Sequence, residues 1–92
     1  MRRPIESQLY QALLSSEFQF IERGIKRTEE IYEYVYREYP NLCDNGFHCN
    51  HYRSARATQP EWNHVVRGAL ERCKITSDRI DYSKKLKYWI FV

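Results

Sequence analysis

Asn63, His64, Arg67, Glu71 and Lys74 recur at helical spacing, and their side chains suit reading a surface rather than cutting a bond. An arginine on an exposed helix face can grip guanine O6 and N7 with two parallel hydrogen bonds or clamp a phosphate. An asparagine suits adenine, and a neutral histidine can donate or accept. Glu71 lies four residues beyond Arg67, so an internal ion pair worth a few tenths of a kcal/mol is the plain alternative. Gly68 sits among them, where glycine costs a helix interior about 1 kcal/mol relative to alanine. That cost implies a close approach at this point by backbone, a DNA strand or a packed ring.

The other face of the same segment explains why a helix should carry them. Trp62, Val65, Val66, Ala69, Leu70 and Cys73 fall at i, i+3, i+4, i+7, i+8 and i+11, one continuous apolar stripe. The spacing predicts a helix over residues 60–73. Thr58 and Glu61 resemble a capping box, with Pro60 just inside the first turn.

Charge collects on the same half of the chain. Residues 1–51 hold six Lys/Arg against eight Asp/Glu, whereas residues 52–92 hold nine against four. A localised basic surface is a footprint for a polyanion. Arg53, Arg56, Arg72, Lys74, Lys84, Lys85 and Lys87 are the expected phosphate contacts, supplying affinity without sequence preference.

Two other chemistries have weaker signals. Cys43, His48, Cys49 and His51 form a Cys2His2 set by type, and a zinc ion needs four such ligands. Their spacing is compressed and lacks the usual separated ligand pairs, so no metal or other cofactor is the expectation, with zinc-dependent folding of the Cys43–His51 loop as the alternative. No glycine-rich phosphate loop or paired carboxylates occur. Cys49 beside His48 is not a nucleophile–base pair by adjacency, and no enzyme is expected. The eight tyrosines read mainly as core and rim residues.

Ninety-two residues allow one small core, and 42% hydrophobic residues suffice to fill it. No apolar run is long enough to span a bilayer and no signal peptide is visible, so no membrane partner is expected. Three cysteines, an odd number, point to a reducing compartment and an intracellular protein. The last strand-like segment runs to Val92 without a tail, which suggests a domain, residues 1–92, cut from a longer protein and expected to be monomeric.

A first helix is expected from Pro4 to about Ser15, with Ile5, Leu9, Ala12 and Leu13 inward and Gly24 as the latest stop. Gly24–Lys26 reads as a connector or isolated strand. Thr28 looks like an N-cap for a second helix, Glu29 to Tyr39, closed by Pro40. Residues 41–57 read as a polar loop. After the third helix the pattern alternates in "RIDY" and turns aromatic and β-branched in "LKYWIFV", with Ser83-Lys84-Lys85 as a basic hairpin tip. Three helices followed by a basic-tipped hairpin is the α+β plan of a winged helix, whose third helix enters the major groove.

"TEEIYEYVYREYP", then "EWNHVVRGALERCKI", then "YWIF" resembles the forkhead-type winged helix over most of the chain. Trp62, Val66, Arg67, Leu70, Tyr88 and Trp89 fall on that family's positions. His64 and Gly68 stand where the family has its base-reading Asn and His, so the resemblance implies no forkhead target sequence. "PEWNHVVRGAL" after an "LCD" loop is also similar to winged helices attached to restriction-type nucleases, some of which read modified bases. Both resemblances imply binding of double-stranded DNA by a targeting module of a transcription regulator or DNA-processing protein. It would be nuclear in a eukaryote and in the cytoplasm or nucleoid of a prokaryote. A protein-interaction winged helix that binds no DNA is the rival expectation.

Overall fold

The computed structural model describes residues 3–49 and 59–92. Among the described residues, three helices and two small antiparallel sheets make an α+β fold. Helix α1 spans Pro4–Ser16, strand β1 Gly24–Lys26 and helix α2 Thr28–Glu38. A 3₁₀ turn, Pro40–Leu42, leads to β2 (His48–Cys49), and β3 (Gln59–Pro60) feeds helix α3, Glu61–Thr76. Strands β4 (Ile80–Ser83) and β5 (Tyr88–Phe91) close the chain as a hairpin. Among the described residues, no helix is long and apolar enough to cross a membrane.

The core forms where the apolar stripes meet. Trp62, Val65, Val66, Ala69, Leu70 and Cys73 are all buried, and α1 packs on this stripe through Leu9 and Leu13. Ile31 and Val35 bring in α2, and Ile80, Trp89 and Phe91 close the core from the sheet. Burying each large apolar side chain favours folding by about 1.5–3 kcal/mol. Ile5 and Ala12 are only half-buried, and Glu6 takes an inward place that the apolar pattern did not reveal.

Arg3 makes that buried carboxylate tolerable. Its Nε donates to Glu6 Oε1 at 2.7 Å and its Nη2 to Glu6 Oε2 at 3.1 Å. Nη2 also reaches Asp44 Oδ2 at 2.9 Å, and the guanidinium lies 3.9 Å from the Phe47 ring centre. One arginine thereby ties the start of α1 to the loop before β2. A buried charge without such partners would be strongly unfavourable.

The exit from α1 is sharper than the sequence suggested. Glu17 and Phe18 both adopt left-handed backbone, with φ of 51° and 57°, and this drives the Phe18 ring wholly into the core. Arg79 Nη1 donates to the Glu17 carbonyl at 3.1 Å, bracing the turn against the entry to β4. Gly24, at φ 128°, then opens β1 in a conformation few other residues adopt.

Strand β1 is not isolated. It pairs antiparallel with β5, which pairs with β4, giving the order β1-β5-β4. Alternation on β5 buries Trp89 and Phe91, while Tyr82, opposite Trp89, packs on it with ring centres 4.7 Å apart. The hairpin loop is Lys84-Lys85-Leu86-Lys87, shifted from the expected Ser83–Lys85. Ser83 ends β4, accepting the Lys87 N–H on its carbonyl and the Leu86 N–H on its hydroxyl. Lys87 takes φ 58° to complete the turn.

Helix boundaries move for identifiable reasons. Thr28 lies inside α2, because Glu30 reaches back to accept the Arg27 N–H at 3.3 Å and makes Arg27 the cap. Pro60 is extended and precedes α3, since the Glu61 N–H donates to the Phe47 carbonyl and continues the short β2–β3 ladder. Thr58 lies outside the described residues. Helix α3 runs on to Thr76, with neither Gly nor Pro to stop it at Lys74.

Candidate nucleic-acid interface

Helix α3 fixes Arg67 by burying nearby residues of the same helix, Val66 and Ala69, and leaves Arg67 itself exposed. It lines an open cleft of about 520 Å³ bounded by α3, the start of α2 and the hairpin tip. Arg27 enters from the α2 cap, Lys87 from the left-handed position of the hairpin loop, and Thr28, Tyr32, Gln59 and Tyr88 are among the residues of the walls. The Arg27 guanidinium lies 5.9 Å from the centre of the Tyr88 ring, which links the α2 cap to the hairpin. Among the described residues, three cations from separate elements therefore face one volume, opposed there by one carboxylate, that of Glu29. An anion in this cleft would meet positive charge from three directions.

The other expected contacts fare unevenly. Lys84 and Lys85 are exposed on the hairpin loop beyond the cleft. Glu71 and Arg72 are exposed on α3, but Lys74 is half-buried and pairs with Glu71 at 3.2 Å. Gly68 is half-buried. Arg53 and Arg56 lie outside the described residues.

Asn63 and His64 do not stand out from the helix as their spacing suggested. Both are half-buried; Asn63 Oδ1 is sealed from solvent without a hydrogen-bond partner, and His64 Nε2 is also out of solvent. Asn63 instead lines a second hollow, between α2 and the start of α3, where Trp62 donates its Nε1–H to Asn45 Oδ1 at 2.9 Å. A buried acceptor with no donor costs roughly 1–3 kcal/mol.

Of the zinc set, Cys43 belongs to the core and His48 is exposed, its Nε2 3.0 Å from the Asn45 carbonyl oxygen. His51 lies outside the described residues. Among the described residues no group of three or more His, Cys, Asp or Glu is placed to hold a metal ion. Burial pushes the Cys43 thiol up to about 12, and burial, then the Glu17 carboxylate, raises that of Cys73. Both thiols stay protonated at neutral pH, the opposite of an activated nucleophile.

Arg27 belongs to no periodic stripe, and its place in the cleft depends on β1 pairing with β5, so no local pattern marks it. Comparison with family models, with curated proteins and with solved structures finds no match to this chain.

Proposed function

We propose that this chain is a winged-helix domain that binds double-stranded DNA, with α3 in the major groove and the β4–β5 hairpin along the backbone. The observation that carries the reading is the convergence of Arg27, Arg67 and Lys87 on one cleft between α3 and the hairpin. The order α1-β1-α2-β2-β3-α3-β4-β5, with β1 added to the hairpin, supports the same plan. In this arrangement Arg67 is the residue best placed to touch a phosphate or a base edge, and Lys84 and Lys85 extend the backbone contact. Asn63 and His64 would reach bases only after turning outward. The domain would target a larger regulator or DNA-processing protein to its site.

Fluorescence anisotropy of a labelled random-sequence duplex pool, followed across a salt series, tests the proposal. Micromolar binding that weakens steeply with salt supports it. Absence of binding at low salt refutes it.

A further inference from the structure

The hollow between α2 and the start of α3 has a volume of about 510 Å³ and a lining unlike that of the basic cleft. Tyr32 and Tyr36 stand one turn apart on α2, and both rings face Trp62, with centres 5.8 and 6.0 Å from it. The planes meet Trp62 at 79° and 41°, so the rings form the sides of a box and not a slot. Trp62 is fixed as the floor, only 6% exposed and hydrogen-bonded to Asn45. Pro60 adds an apolar wall, and Tyr36, 43% exposed, leaves the mouth open. Glu33 sets a carboxylate at the rim, and Arg37 is its neighbour, with Nη2 4.0 Å from Glu33 Oε2.

We propose that this box binds a methylated ammonium group carried on a lysine side chain of a protein partner. Aromatic faces carry negative quadrupole potential, and three rings set obliquely around one volume attract a compact cation. A flat nucleobase would need two parallel faces to stack between, and these rings offer none. Methylation matters because a bare ammonium is strongly hydrated, whereas methyl groups spread the charge and contact the rings. Glu33 supplies the opposite formal charge, and Arg37 is a cation that competes for it. This site shares only the Tyr32 wall with the basic cleft among the described residues and stands whether or not the domain binds DNA.

The test is an NMR titration of the whole chain, read on the indole N–H resonances and assigned with Trp89→Phe. The probes are the N-acetyl amides of trimethyl-lysine, of lysine, and of the neutral analogue with carbon in place of the charged nitrogen. Trimethyl-lysine is expected to shift the Trp62 resonance and to bind about tenfold more tightly than the carbon analogue. Tyr36→Ala should abolish the shift, Glu33→Gln should weaken binding, and Arg37→Ala should strengthen it. These three side chains are exposed, so each variant should keep its fold, checked by its amide spectrum. Equal binding of the carbon analogue, or no shift with any probe, would overturn the proposal. So would tighter binding of free choline than of trimethyl-lysine, which would point to a non-protein source, or a Trp62 shift caused by a nucleoside alone.

Discussion

Replacing Arg67 by alanine separates the roles that the cleft could give it. If Arg27, Arg67 and Lys87 each neutralise one phosphate, log K should fall with log salt at a slope of about −2.7. Raising salt fourfold, from 50 to 200 mM, would then weaken binding about 40-fold. Without Arg67 the slope should fall to about −1.8 and the same change to about 12-fold. Contacts from Lys84 and Lys85 would steepen both lines equally, so the difference of about 0.9 is the quantity to measure. Arg67 is exposed, and the substitution should change stability by no more than about 0.5 kcal/mol, checked by urea unfolding.

Anisotropy titrations of both proteins at four or five salt concentrations give the two slopes. Weaker binding with an unchanged slope would move Arg67 from a phosphate to a base edge. In that case Arg67→Lys should relax sequence preference while keeping much of the affinity, because an ammonium cannot grip guanine with a rigid fork. Unchanged affinity together with an unchanged slope would refute the place of Arg67 at the interface and the assignment of the cleft with it.

Asn63→Ala should leave stability unchanged or raise it by about 1 kcal/mol, since it removes an acceptor buried without a donor; a loss of that size in urea unfolding would reveal a partner. The raised thiols make stability fall as pH rises above about 9, because the unfolded chain releases protons that the native chain retains; Cys43→Ala should flatten the decline over pH 9–12. The native Cys43 thiol should also resist alkylation at pH 8 until the protein is unfolded, as followed by mass spectrometry. Asp44 behaves oppositely. The Arg3 guanidinium, and then the Gly46 N–H, hold its carboxyl below the usual range, so its contribution is present above about pH 4 and is lost on acidification. Asp44→Asn should therefore lower stability at neutral pH and weaken its dependence on pH below 4, measured by thermal unfolding across the acid range.

Much of the frame was legible because it rests on local periodicity. The α3 stripe from Trp62 to Cys73 is wholly buried as its spacing required, and the hairpin forms from the two segments whose pattern changes period. What escaped the sequence depends on contacts between distant residues. Glu6 looks like a surface carboxylate until Arg3 and Asp44 are brought together across the fold. Ile25 is 60% exposed, and β1 becomes a strand only because β5 offers its edge. Helical spacing also overstated the exposure of Asn63 and His64, because it counts positions on a cylinder and ignores what packs against its first turn.

Helix α3 thus serves three surfaces at once, and the ordering of its residues decides which of them can be altered independently. Trp62 cannot be changed without loss to the core, because the ring that floors the aromatic box is also buried against the helices and held by Asn45. Arg67 lies five residues on and touches only the basic cleft among the two hollows, whereas Asn63 lines only the aromatic one. Among the described residues Tyr32 alone lines both, standing on α2 between them. A ligand that turns the Tyr32 ring in the box would therefore change one wall of the cleft. Coupling between the two sites, if both are occupied, must appear as a change in DNA affinity on adding the methylated ammonium. Tyr32→Phe should preserve that coupling, since the ring carries it, and Tyr32→Ala should remove it.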